Sequence, residues 1–198
     1  IDNSGLYSGR QEAMGIIKAM ASEITAFDVF GGIGISAGIA FARAAKGAYD
    51  FEKQFQQSMK EVATLSNGIK GSLTDYMNQV MEITRTIPVE ANEAAKALYQ
   101  IVSAGHDGAN GMKVLEASAK AAVGGVTDTA TAADAITTVL NAYKLDASKA
   151  QEVSDQLFTT VRLGKTDFGQ LGKSIAQAAP IAASFGIDIK EVLGAVAS

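Results

Sequence analysis

The chain has 198 residues with 47% hydrophobic and 19% charged side chains, so a packed core is within reach of the composition and wholesale disorder is excluded. A formal net charge of −4 gives no basic face for nucleic acid: residues 1–70 balance seven basic against seven acidic side chains, and residues 71–198 carry ten against fourteen. There is no cysteine, which removes disulfides and thiolate chemistry and suits folding in a cytoplasm.

Two prolines, Pro88 and Pro180, leave long stretches open to helix. The first ten residues are polar and hold no signal-peptide pattern. The chain starts at Ile1 and stops at Ser198 inside a helical pattern, Ile187-Asp-Ile-Lys-Glu-Val-Leu-Gly-Ala-Val-Ala, so it is expected to be an excerpt of a longer polypeptide.

Residues 10–27 place Met14, Ile17, Met20, Ile24 and Phe27 on one helix face. Residues 29–42 form an uncharged run bracketed by Asp28 and Arg43. As a helix it spans roughly 21 Å, short of the roughly 30 Å of a bilayer core. Gly34, Gly38 and Ala42 recur every four residues and form a stripe of small side chains. Such a stripe serves either close helix crossing in a bundle or oligomer, or membrane contact.

Residues 41–65 carry the clearest period. Phe41, Ala48, Phe55 and Val62 are spaced by seven. Ala44, Phe51, Ser58 and Leu65 follow each of them by three, which makes an a/d seam of almost four heptads. Lys46, Lys53 and Lys60 fall on the opposite f positions. The Ala and Ser fillers and Gly47 weaken the seam, so it needs company. That company is either a second helix of a coiled coil or the domain that follows. Phe41, Ala44, Ala48, Phe51, Phe55, Val62 and Leu65 are therefore the candidate oligomer or partner contacts.

Asn67-Gly68 ends that helix, and Ser72-Leu-Thr-Asp75 resembles a capping box for the next, with Leu73, Tyr76, Met77, Val80 and Ile83 on its apolar side. Beyond Pro88 a helix over 90–104 turns Ala94, Leu98, Ile101 and Val102 inward and stops at Gly105. The segment His106–Gly111 reads as a turn, followed by a helix over 112–123 stopped by Gly124-Gly125. Thr127, Asp128 and Thr131 are candidate caps for a helix over 131–143 with Ile136, Val139, Leu140 and Tyr143 as its apolar face. Asp146 or Ser148 starts another, through about Leu163, burying Val153, Leu157, Phe158 and Val161. Thr166 or Asp167 caps a helix reaching toward Pro180, and Gly186 and Asp188 separate it from the last. No stretch alternates as a strand. The expectation is an all-α chain: an extended helical segment over 1–70, then a compact bundle of six or seven short helices over 71–198.

Catalysis needs a nucleophile, an acid/base partner or a metal site held together. The one histidine, His106, sits in a glycine-rich turn. No zinc pattern exists, and Gly31-Gly32-Ile33-Gly34 lacks the Lys-Ser/Thr of a phosphate loop. Gly105-His-Asp-Gly-Ala-Asn-Gly111 lacks the spacing and terminal Glu of a calcium loop and reads as turn chemistry. Glu90 and Glu93 suit the positive end of a helix dipole. No catalytic, cofactor-binding or metal residue is assigned.

The order of blocks carries a resemblance. Phe51-Glu-Lys-Gln-Phe55 and Met59-Lys-Glu-Val62 lead into Val89-Glu-Ala-Asn-Glu-Ala-Ala-Lys-Ala-Leu and Ser103-Ala-Gly105. Gly125-Val-Thr-Asp-Thr-Ala-Thr-Ala-Ala-Asp134 and Val139-Leu-Asn-Ala-Tyr-Lys-Leu145 follow, then Ala150 and Asp155. Leu171-Gly, Ala178-Ala-Pro-Ile-Ala182 and Phe185-Gly-Ile-Asp-Ile-Lys-Glu-Val192 close the series. Over about residues 50–198 this resembles the conserved region of the tail tape measure proteins of long-tailed bacteriophages. Pro88 and His106 depart from residues common there.

The resemblance implies a non-enzymatic structural protein without cofactors, lying in the lumen of the tail tube after assembly in the host cytoplasm. Its helical length sets the number of tail rings, and it leaves ahead of the DNA at genome ejection. The partners implied are further copies of itself, a trimer among the candidate states, with tail tube protein, tail tip or baseplate proteins, assembly chaperones and host membrane at ejection. No sequence-specific nucleic-acid binding is implied. Two other readings share the helices: a membrane-active or pore-associated segment centred on 29–42, and a generic helical partner-binding module.

Overall fold

The computed structural model describes the backbone of residues 34–66, 73–164 and 166–197, and their side chains from 46 to 196. The expected helix over 10–27, residues 29–33, the Asn67-Gly68 stop and Ser72 lie outside the described residues. The described secondary structure is helical throughout: α1 (Gly34–Leu65), α2 (Leu73–Thr86), α3 (Ala91–Ser103), α4 (Gly108–Gly125), α5 (Thr129–Ala142), a 3₁₀ turn (Ala147–Lys149), α6 (Ala150–Gly164), α7 (Phe168–Ser184) and α8 (Ile189–Ala197). The chain forms two units, residues 1–53 and residues 54–198. The first is helical over its described backbone, and its described side chains, 46–53, are exposed. The second takes in the last turns of α1 together with the whole stretch 71–198.

Within residues 54–198 several elements start on an aspartate cap. Asp107 caps α4 by accepting from Gly108 N at 2.6 Å. Asp128 caps α5 by accepting from Thr131 N at 2.8 Å. Asp146 starts the 3₁₀ turn by accepting from Ser148 N at 2.8 Å, and Asp167 caps α7 by accepting from Gln170 N at 2.8 Å. Each carboxylate satisfies an orphan amide and complements the helix dipole. Pro88 sits at the centre of a tight turn between α2 and α3, in which Val89 N donates to Ile87 O at 2.8 Å.

Four of the helix ends follow one rule. At α3, His106 N donates to Ile101 O and Gly105 N to Val102 O, with Gly105 at φ +95. At α7, Ile187 N donates to Ala182 O and Gly186 N to Ala183 O, with Gly186 at φ +74. These are Schellman turns with glycine at the left-handed position. At α4 and α5 the same turn is made by Val126 at φ 50 and Lys144 at φ 52, where a side chain makes the conformation costly.

α5 lies centrally. It packs against α3, α4, α6 and α7, while α4 also packs on α6, and α8 closes against α6 and α7. Ala132, Ala133 and Ala135 are buried on α5, and a Cβ added to Gly172 of α7 would stand 3.3 Å from the Ala135 Cβ. Small side chains therefore bring these backbones close. Leu98, Ile101, Leu115, Ile136, Leu140, Leu157, Phe168, Leu171 and Ile175 fill the spaces between and are fully buried.

Several local expectations change. The segment His106–Gly111 is not a free turn: α4 begins at Gly108, because Asp107 caps it there. Gly111 is required by packing, since a Cβ would come within 2.7 Å of the His106 carbonyl oxygen. Gly124 and Gly125 do not stop α4, which ends at the left-handed Val126. They make room for rings instead: an added Cβ would lie 3.4 Å from Phe158 at Gly124 and 2.9 Å from Phe168 at Gly125. Phe158, expected inside, is 39% exposed and covers Gly124 from the surface. α7 runs through Pro180 to Ser184, with Pro180 on the exposed side, where water can serve the carbonyl that proline leaves unpaired.

Candidate functional site

The candidate contacts all lie on α1, and the structure divides them. Gly34, Gly38, Phe41, Ala42 and Ala44 belong to its helical backbone, with side chains outside the described ones. Ala48 is exposed, and Phe51 is 40% exposed. Lys46, Lys53 and Lys60 are exposed. Phe55 and Val62 are buried, at 4% and 0%, in the core of the 54–198 unit. Leu65, on the same heptad row as Phe51, is 39% exposed.

Met59 was missed as a site residue and is fully buried beside Phe55 and Val62. In the heptad lettering it occupies e. The buried edge of residues 54–66 is therefore an a/e stripe: Phe55, Met59, Val62 and half-buried Ser66. The d residues Ser58 and Leu65 stand beside it, half-buried and exposed. Steps of four, three and four fit this stripe as well as an a/d seam, and Met59-Lys-Glu-Val62 was the available signal.

Polar contacts fasten the same segment. The Ser66 hydroxyl donates to Asp107 Oδ1 at 2.5 Å. Tyr76 OH donates to Gly108 O at 3.0 Å and stands 3.4 Å from Asp107 Oδ1. One carboxylate thus caps α4 and receives the end of α1 beside α2. Burial, then the Asp107 charge, push the Tyr76 phenol up to about 12, which keeps it a hydroxyl donor. Further along, Asn92 Nδ2 donates to Gln54 Oε1 at 3.4 Å.

A concavity lies among α3, α5 and α7, lined among others by Gln100, Asp128, Thr131, Asp134, Gly172 and Lys173. Two of its aspartates have structural work. Asp128 also accepts from Thr131 Oγ1 at 2.7 Å, and that hydrogen bond holds its carboxyl below the usual range. Asp167 caps α7. Glu93, expected at a helix start, accepts from both Thr129 N and Thr129 Oγ1, tying α3 to the first turn of α5. His106 is half-buried with Nε2 buried and unpartnered. Among the described residues no group of side chains could hold a metal ion, and no helix is long and apolar enough to cross a membrane.

Comparison with known proteins follows the same stretch of chain. Residues 77–198 match the family described as phage-related minor tail protein. A probable tape measure protein of Clostridium phage phiCD119 is 31% identical over 163 residues, which is 80% of this chain and 17% of that protein. The match thus spans about a sixth of that relative's length. No solved structure matches.

Proposed function

The chain belongs to the phage-related minor tail protein family and is related to phage tape measure proteins, and we propose that it is a non-enzymatic segment of a tape measure that sets tail length. The observation that carries this is the match to a tape measure protein across 80% of the chain. The 32-residue α1 adds a physical reason. A helix rises 1.5 Å per residue, so about 48 Å of α1 converts residue number linearly into distance.

In this reading the chain is a virion tail component in the tube lumen, assembled in the host cytoplasm and released at genome ejection. Several copies associate along the tube axis through the α1 seam. The tube protein, tip or baseplate proteins, assembly chaperones and host membrane are its other partners. The bundle over 71–198 is a compact module within the ruler.

The test is made in the parent phage. Inserting four heptads into α1 ahead of Gln54 should lengthen assembled tails by about 42 Å in electron micrographs. Tails that assemble at unchanged length would overturn the reading.

A further inference from the structure

The heptad register and the observed packing make competing demands on the same side chains. A coiled coil through the seam needs the a residues Phe55 and Val62 and the d residues Ser58 and Leu65 to face another helix. In the structure Phe55 and Val62 face inward, alongside Met59 at e, and fill the core of their own unit. Ser66 fastens the end of the segment to Asp107. The two faces share the a row and differ in the other: d for association, e for docking.

We propose that residues 54–66 form an autoinhibitory strap: docked on its own bundle through a and e, it withholds the C-terminal half of the seam from a second copy of this chain. Undocking frees Phe55 and Val62 to continue the row begun by Phe41 and Ala48. The inference rests on the self-association read under Proposed function and adds its control.

The strap is built to leave without unfolding what it leaves. The helices α3 to α8 pack on one another: α5 lies against α3, α4, α6 and α7, and α8 against α6 and α7. The end of α1 reaches that core through three long apolar side chains and a hydroxyl. When Ser66 leaves Asp107, Gly108 N still donates to that carboxylate, so α4 keeps its cap. Both copies must undock, so the apparent affinity of one copy for another is its intrinsic affinity multiplied by the square of the fraction undocked. Any change that weakens docking and spares a and d should therefore tighten association.

Met59→Gln is such a change, since e lies outside the a/d seam and glutamine is a good helix former. In the chain of residues 1–198, the expected results are faster amide exchange over 54–65 and unchanged protection over 91–184. Self-association by sedimentation equilibrium should tighten by about tenfold or more, as expected for losing a buried side chain from the docked state. Adding Leu65→Lys, a d residue already exposed when docked, should cancel the tightening and leave the faster exchange in place.

If exchange over 54–65 rises while association stays level or weakens, the strap is overturned and the self-association reading stands. If neither the wild type nor the variants associate at any concentration, that reading falls and the strap with it. If Met59→Gln lowers protection everywhere, Ser66→Ala decides by the same two measurements. Faster exchange over 54–65 with tighter association then supports the strap, and any other result overturns it.

Discussion

α5 meets its neighbours through small side chains, Ala132, Ala133 and Ala135, and long ones, Ile136, Val139 and Leu140, with Gly172 of α7 across from Ala135, whereas residues 54–66 meet the same core through Phe55, Met59 and Val62. Both arrangements bury apolar surface. They differ in how much of the helix takes part. α5 is buried along most of its length against four other helices. Residues 54–66 are attached by a few knobs along one edge. Burial of single residues therefore does not say whether a helix is part of the foundation or a removable piece; how much of its surface is covered does.

The sharpest way to break this comparison is to damage the foundation. Leu140→Ala removes a fully buried side chain of α5 and should cost about 2–5 kcal/mol. Because α5 packs on α3, α4, α6 and α7, urea denaturation should show the bundle losing stability as one cooperative transition. A transition in which α5 melts separately would contradict its central role.

A smaller effect is expected from adding an atom. Gly111→Ala should destabilise by about 1–3 kcal/mol, since its Cβ meets the backbone carbonyl of His106 rather than a movable side chain. The same substitution at Gly47, where nothing lies within 4 Å, should be neutral or stabilising by helix propensity. Paired thermal melts of the two variants test whether close approach is confined to the bundle.

Relief of strain should act in the opposite direction. Val126→Gly places glycine at φ 50 and should stabilise by about 0.5–1 kcal/mol, after the entropy of glycine in the unfolded chain is set against the left-handed penalty. A lowered melting temperature would mean that Val126 makes a contribution its 94% exposure hides.

The smallest expected effect is on pH. The Thr131 hydrogen bond depresses the Asp128 carboxyl in the folded state. A depressed acid stabilises the fold above its unfolded value, near 3.8, and that contribution is lost as pH falls through the folded value. Asp128→Asn should flatten the acid limb of stability below about pH 4, read by denaturant midpoints, while keeping much of the cap. An acid limb unchanged by the substitution would remove Asp128 as a contributor.

Most of the fold was legible because the helices announce themselves at both ends. Asp128, Asp146 and Asp167 are short acids ahead of apolar periods, and each caps as its position suggests. Glycine was the ambiguous letter. Gly105 and Gly186 mark helix stops by backbone conformation, whereas Gly124 and Gly125 answer to rings distant in sequence and Gly111 to the carbonyl of His106, five residues earlier. Nothing local distinguishes the two uses, so α4 read six residues too short. The stripe on α1 was legible as a period but not as a choice of partner. The a/d and a/e spacings differ by one residue in seven, and only burial at Met59 separates them. Asp107 was legible as a turn residue; that Ser66 and Tyr76 meet it depends on tertiary packing.

The pair Gly124-Gly125 has a spectroscopic consequence. One glycine lies against the ring of Phe158 from α6, the next against the ring of Phe168 from α7. Aromatic ring currents should move their α-proton resonances away from random-coil positions, each by an amount set by a different helix. Two adjacent residues thus report separately, in a single proton spectrum, on the seating of α6 and of α7 against the end of α4.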